Sequence, residues 1–330
     1  MTGSAATEGA RTQSVRKRRR SFSNRTASVP VTKRGLLIYN PIAGQRDRRR
    51  QMNALIDRQR RRGLELVNAP TSGRGDATEI VRTFLKKGID LVAVCGGDGT
   101  MSEVAAGLAG TKVPLGILPA GTSNVLAIEL GIPATLARAE DLLLTGSPAA
   151  FRLAQAEDRP FLLWAGAGID ARVMGRMNLV MKRRLGRAGI FFTAASQFFQ
   201  YEFPNLEVEI DGAAHEATYA VVCRARHYAG RWIIAPQARF GSDMFEVLLF
   251  AHRDRAKLFQ LFVAMQQGRA AHVTEGLARI VPGRNVTIRS RESYPVQIQL
   301  DGDCVLQTPV RCHVGEDTVR ILVPSPSATR

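Results

Sequence analysis

An apolar run, Leu91-Val92-Ala93-Val94-Cys95, leads straight into Gly96-Gly97-Asp98-Gly99-Thr100 and on into Met101-Ser102-Glu103-Val104-Ala105-Ala106-Gly107-Leu108. No other stretch limits the fold as tightly, because a buried strand, a glycine turn and a helix follow one another without a spare residue. Glycines let the backbone approach a ligand closely and open positive φ to it. A helix N-terminus adds unpaired N–H groups and partial positive charge, which suit phosphate. Asp98 is the odd member, since a carboxylate beside phosphates repels them unless a cation or a hydrogen-bond network intervenes. The stretch reads as a nucleotide site with a metal ion, and so as phosphoryl transfer.

The same alternation extends on both sides. Gly35–Tyr39 reads as a strand ending in the turn Asn40-Pro41-Ile42-Ala43-Gly44, and Arg48–Arg62 as a helix with Met52, Leu55 and Ile56 inward. Leu64–Val67 is a second strand, and Asp76-Ala77-Thr78-Glu79 resembles a capping box opening the next helix. Leu115–Leu118 makes a fourth strand before Gly121-Thr122-Ser123-Asn124 starts another helix. This order implies a Rossmann-like parallel sheet with ligands at the carboxyl ends of its strands. Beyond Gly146 short alternating strands take over, at 206–210, 218–223, 245–250, 285–288, 296–300 and 319–323, with helices near 178–199 and 255–267. They predict an antiparallel β-sandwich. The expected organisation is a disordered basic arm over 1–32, a nucleotide-binding α/β domain over 33–150, a β-sandwich domain over 151–324 and a tail over 325–330.

Charge and cysteine usage narrow the setting. A balance of 46 basic against 29 acidic residues attracts polyanions: nucleotides, anionic lipid surfaces or nucleic acid. No recognised nucleic-acid module is present, so no specific nucleic-acid partner is expected. Arg16-Lys17-Arg18-Arg19-Arg20 lies in the arm, where it reads equally as an anchor for anionic phospholipids or as a solubilising tail. Cys95, Cys223, Cys304 and Cys312 are scattered and read as small buried residues. The apolar stretches are too short for the roughly 20 residues of a membrane-spanning helix, and the N-terminus has no apolar leader. A cytoplasmic protein, peripherally membrane-associated, is expected, with a homodimer left open.

Four segments in this order, Asn40–Gly44, Gly96–Thr100, Leu118-Pro119-Ala120-Gly121-Thr122-Ser123-Asn124 and Leu300-Asp301-Gly302-Asp303, resemble the diacylglycerol-kinase catalytic family in its bacterial lipid-kinase branch. Gly166–Ala171 and Ala235–Ala238 fall between them as that family's order implies. The glycine-aspartate motif alone is shared with NAD kinases and phosphofructokinases. The resemblance implies ATP bound by Asn40, Thr71, Gly96, Gly97, Asp98, Gly99, Thr100, Met101, Ser102 and Thr122, with Asp98 organising Mg2+. Helix capping competes for Thr71 and Thr122, and an Asx turn for Asn40. Asp303 stands where the family has its catalytic glutamate, the base for the lipid hydroxyl. Alone, Asp301-Gly302-Asp303 would read as a hairpin turn.

The resemblance has departures. Aspartate is one carbon–carbon bond, roughly 1.5 Å, shorter than glutamate. Val125 replaces a frequent acidic residue, Ser102 and Ala106 stand where asparagines are common, and a second magnesium site would fall on Ser242-Asp243, with Asp243 shifted by one position. Met181–Arg187 followed by Ile190-Phe191-Phe192 and Phe198-Phe199 reads either as a basic-flanked lipid contact or as a helix covering the sheet. Three readings follow: a kinase acting on the hydroxyl of diacylglycerol or a related lipid at a membrane surface, an NAD-kinase-like enzyme of soluble substrates, and a nucleotide- and membrane-binding protein with impaired catalysis.

Overall fold

The computed structural model describes residues 33–41, 48–176, 187–268 and 276–325. The basic arm, Ile42–Gly44 and Met181–Gly186 therefore lie outside the described residues. The first half runs β1 (Lys33–Tyr39), α1 (Arg49–Arg60), β2 (Leu64–Pro70), α2 (Asp76–Leu85), β3 (Leu91–Gly96), α3 (Asp98–Leu108), β4 (Leu115–Pro119) and α4 (Val125–Glu129), then the short α5 (Leu136–Ala139) and α6 (Leu142–Thr145). Next come β5 (Ser147–Ala156), β6 (Arg159–Phe161), β7 (Trp164–Ala167), α7 (Ile169–Arg176) and α8 (Arg187–Phe199). The remainder is β8 (Leu206–Ile210), β9 (Ala213–Ala217), β10 (Tyr219–Cys223), β11 (His227–Tyr228), β12 (Trp232–Ile233), β13 (Phe245–Phe250), α9 (Arg255–Gln267), β14 (Arg279–Gly283), β15 (Val286–Ser290), β16 (Gln297–Leu300), β17 (Asp303–Gln307) and β18 (Val310–Val323).

β2, β1, β3 and β4 pair in parallel in that order. Parallel strands covered on both faces need unbroken apolar runs, and Leu36, Leu37 and Ile38 of β1 are wholly buried. Each contributes roughly 1.5–3 kcal/mol by burial. The face of α1 that the spacing predicts, Met52, Leu55 and Ile56, packs inward.

The sheet does not stop at the first half. β18 joins the edge of β4 in parallel at Ile321 and pairs antiparallel with β5 and β15. A ten-stranded sheet results, and β5 carries it across residue 150. A second, six-stranded antiparallel sheet runs β14-β13-β10-β7-β16-β17. Val208, Val286 and Val310 of the first sheet meet Ala165, Val222, Val247 and Ile298 of the second, which is the sandwich core. Leu258, Leu261 and Met265 of α9 cover the other face.

One local expectation is corrected. Asp76–Glu79 is not a capping box: Gly75, at φ 83°, is the N-cap of α2, and Asp76 is already helical. The acceptor for that helix end comes from Glu103 on α3 instead. Of the helix expected near 178–199, residues 187–199 form α8 and residues 178–186 lie outside the described residues.

Candidate functional site

The glycines at the ends of β3 and β4 are dictated by space. A Cβ on Gly121 would lie 2.5 Å from the Cα of Gly97, and one on Gly96 2.9 Å from the Cβ of Thr100. The two turns pack backbone against backbone. The positive φ expected there is absent: Gly97 is extended at φ −97°, and none of Gly96, Gly99 and Gly121 is left-handed. Asn124 closes the second turn, accepting from the Gly121 N–H at 2.8 Å and donating to its carbonyl at 3.0 Å from a left-handed backbone at φ 49°. Arg48 ties the start of α1 to the same turn through the Ala120 carbonyl, 3.0 Å away.

Asp98 opens α3 and crosses to α4. Its Oδ1 accepts from Leu126 N–H at 3.0 Å, and the Val125 N–H also points to the carboxylate. Burial pushes this carboxyl up, against those two donors, and the nearby Asp301 pushes it the same way. Asp98 is therefore a half-buried cap for α4 as well as the acidic member of the turn.

A third turn lies alongside. Thr71, buried at the end of β2, donates its N–H to Tyr39 O at 2.9 Å. Asp76 folds back to accept from Ser72 N–H at 2.8 Å, from the Ser72 hydroxyl and from Gly73 N–H at 3.1 Å, which lowers its carboxyl below the usual range. Glu103 accepts from Gly75 N–H at 3.0 Å and Ala77 N–H at 3.2 Å. Burial nonetheless pushes Glu103 up, with Asp303 and Asp76 adding to it.

The fourth turn arrives from the sandwich. Asp301 and Gly302, at φ 49° and 91°, link β16 to β17 as the tight I′ hairpin turn requires. Asp301 is buried and holds two parts of the chain. Its Oδ1 accepts from Leu163 and Trp164 N–H at 2.7 and 3.0 Å, and its Oδ2 from Leu162 N–H at 2.7 Å and the Ser102 hydroxyl at 2.6 Å. Burial raises its carboxyl despite these donors. Asp303 then points at the turn after β3: a Cβ on Gly99 would sit 3.4 Å from its Oδ2. Its Oδ1 lies 2.8 Å from the Arg74 guanidinium, which brings the turn after β2 to the same place.

The structure thus gathers Gly96, Gly97, Asp98, Gly99, Thr100 and Asp303 with the turns bearing Thr71 and Thr122. Asn40 is half-buried just after β1, and Thr122 is exposed on its turn. Met101 is wholly buried and donates its N–H to Gly97 O at 3.0 Å, and the hydroxyl of Ser102 is spent on Asp301. Asp301, Glu103 and Arg74 were not expected. Their partners come from distant segments, and only the left-handed Asp-Gly pair hinted at the first.

Of the carboxylates at the turns, Asp98 is the one that fits magnesium, and only as a single ligand, since Asp303 is already paired with Arg74. Among the described residues no three His, Cys, Asp or Glu side chains gather to hold a metal. Mg2+ commonly takes one or two carboxylates and completes its shell with substrate phosphates and water, which a single carboxylate at Asp98 allows. The second site at Asp243 does not fit: the exposed carboxylate lies 3.2 Å from the Arg152 guanidinium, and the Ser242 hydroxyl accepts from Met244 N–H at 3.1 Å. A fixed cation already faces Asp243. Of the stretch weighed as a lipid contact, Phe198 packs edge-on against Phe199, which is 73 % exposed.

Residues 34–156 match the diacylglycerol kinase catalytic domain, and residues 164–323 match the YegS C-terminal NAD kinase beta sandwich-like domain. A diacylglycerol kinase of Mycobacterium tuberculosis is 28 % identical over 296 residues, covering 87 % of this chain and 94 % of that one. One from Bacillus subtilis is 25 % identical over 276 residues, 82 % and 90 % of the two chains. The crystal structure of a diacylglycerol kinase from Bacillus anthracis superposes with a TM-score of 0.66 at 21 % identity, over 89 % of this chain and 98 % of that one, which shows the shared fold. Fold and matched domains together define a two-domain kinase of the lipid-kinase class. The chain belongs to the diacylglycerol kinase catalytic-domain family.

Proposed function

We propose that the protein is an ATP-dependent lipid kinase that passes the γ-phosphate to a hydroxyl of diacylglycerol or a related lipid. The observation that carries this is the approach of Asp303 to Gly99 at the N-terminal end of α3. A base from the sandwich and a phosphate-suited turn from the parallel sheet face one another there. The N–H groups at the start of α3 and the turn at Gly121 hold phosphate oxygens as neutral donors. Asp303 accepts the proton of the acceptor hydroxyl as its oxygen bonds the γ-phosphorus and the bond to the bridging oxygen breaks, releasing ADP. Arg74 pairs with the Asp303 carboxylate at the turn after β2. Asp98 would hold Mg2+ with the nucleotide, and the ion when bound supplies charge screening on the phosphates.

Labelled ATP, Mg2+ and a mixed lipid extract test the reading: one lipid class is expected to gain label from the full-length protein. Calorimetric ATP binding with no labelled lipid across the extract would instead support the impaired-kinase reading. The arm is assigned to docking on anionic phospholipid at the cytoplasmic membrane face. Among the described residues no helix is long and apolar enough to cross a membrane. Deleting residues 1–30 is expected to weaken anionic-vesicle sedimentation in a salt-dependent way and to spare turnover on detergent-dispersed lipid. Equal sedimentation before and after the deletion refutes the docking role.

A further inference from the structure

The side chain of Asp303 is 30 % exposed, and its ion-pair partner Arg74 is 57 % exposed. Such a pair holds a carboxylate loosely. The position of the base is therefore inherited from the two residues before it. Asp301 is fixed by three backbone N–H groups and the Ser102 hydroxyl. Gly302 is fixed by one side chain: its N–H donates to Gln299 Oε1 at 2.7 Å.

Gln299 is 1 % exposed, and the other end of its amide is also committed. Its Nε2 donates to Asp170 Oδ2 at 3.0 Å. Asp170, fully enclosed near the start of α7, accepts at Oδ1 from Ala171 N–H at 2.7 Å and at Oδ2 from the Tyr228 hydroxyl at 3.2 Å as well. A carboxylate is an acceptor only, so it dictates which way the Gln299 amide faces. A flipped amide would set N–H against the Gly302 N–H. The backbone is built around this bond. Gly166 lies directly across from Gln299 in the β7–β16 pairing, and a Cβ there would lie 2.0 Å from Asp170 Oδ2 and 2.8 Å from Gln299 Nε2. Gly166 is not left-handed, so space is what requires glycine at this position. The β16–β17 register shifts between Ile298 and Gln299, an irregularity of the kind that re-aims a side chain.

We propose that Gln299, oriented by Asp170 over the bare backbone of Gly166, is a positioning residue that sets the reach of the Asp303 carboxylate. The proposal rests on the reading of Asp303 as the base. It also bears on why an aspartate serves there, since a short base tolerates little drift of its turn. A misplacement of about 1 Å can cost around 10²-fold in rate.

The test is a double-mutant cycle in the full-length protein, with radiolabel transfer from saturating ATP to a detergent-dispersed mixed lipid extract as the rate. Gln299→Met removes both hydrogen bonds at similar volume. It is expected to lower the rate about 10- to 100-fold while calorimetric ATP affinity stays within about twofold. In the Asp303→Asn background the same substitution is expected to cost less than about twofold, because its effect passes through Asp303. An equal fold loss in both backgrounds overturns the proposal and leaves the base reading standing. A parallel loss of ATP affinity overturns it too. An undiminished rate in Asp303→Asn alone removes the base itself, and the positioning role with it. Should Gln299→Met not fold, Gln299→Asn, which keeps a core amide but lacks the reach to span both partners, enters the same cycle.

Discussion

Two substitutions at Asp98 separate its structural role from its chemical one. Asp98→Ala strips the acceptor from the Leu126 and Val125 N–H groups at the start of α4. Losing a cap costs about 0.5–2 kcal/mol, and a buried N–H left without a partner costs about 1–3 kcal/mol. The two overlap, so roughly 2–4 kcal/mol is expected, or about 5–10 °C in melting temperature for a chain of this size. Asp98→Asn keeps a carbonyl oxygen for the Leu126 N–H and removes a charge that burial and Asp301 both disfavour. Its melting temperature is expected within about 2 °C of the parent or above it. If the carboxylate charge also serves the transferred phosphate, both variants lose at least about 10²-fold in lipid phosphorylation. Scanning calorimetry and label transfer on the same preparations check both halves. An Asn variant that melts as low as the Ala variant refutes the capping argument, and one retaining more than a fifth of the parent rate confines Asp98 to the scaffold.

Two further outcomes follow from the same geometry. Burial pushes the Asp170 carboxyl from 3.8 up to about 6; because the folded value lies above the unfolded one, the group costs stability as pH rises from about 4 to about 6, and the cost is absent below that window. Urea unfolding should show Asp170→Asn gaining on the parent by about 2 kcal/mol between pH 4 and pH 7, and a constant difference across that range would refute the shift. Gly121→Ala places a Cβ against the Gly97 backbone, a clash no side-chain rotation relieves; a loss of about 1–3 kcal/mol and weaker calorimetric ATP binding are expected, and unchanged ATP affinity would separate the two turns from the nucleotide.

The parts of this fold that a reader of the sequence can find are those whose cause is local. Leu91–Gly96 is an unbroken apolar run because parallel strands are covered on both faces, and α9 over Arg255–Gln267 coincides with the expected helix. In sequence β18 shows only from Val319, because Gly315-Glu316-Asp317 resembles a turn. In the structure that point is the register shift between Val314 and Thr318, inside a single strand. β5 was not read at all, since its long pairing with β18 is an interaction that no window of ten residues contains.

The site divides the same way. The glycine turn is legible because backbone crowding at Gly96, Gly97 and Gly121 leaves its mark in the residues themselves. The side chains that hold the turns in place leave none. Asp301 binds Leu162–Trp164 and Ser102, more than 130 residues away in sequence, and Glu103 binds the start of a helix that precedes its own. Each carboxylate, buried at Asp301 and half-buried at Glu103, is satisfied by N–H or O–H donors from another segment, and in sequence each reads as an ordinary acidic residue. On the proposed reading, motifs mark where phosphate is received, and the long-range carboxylates fix how far the opposing base stands from it. In this chain a shorter base makes the second set the more exacting, which is why substitution at Gln299 or Gly166, neither of which touches a ligand, is expected to act on the rate.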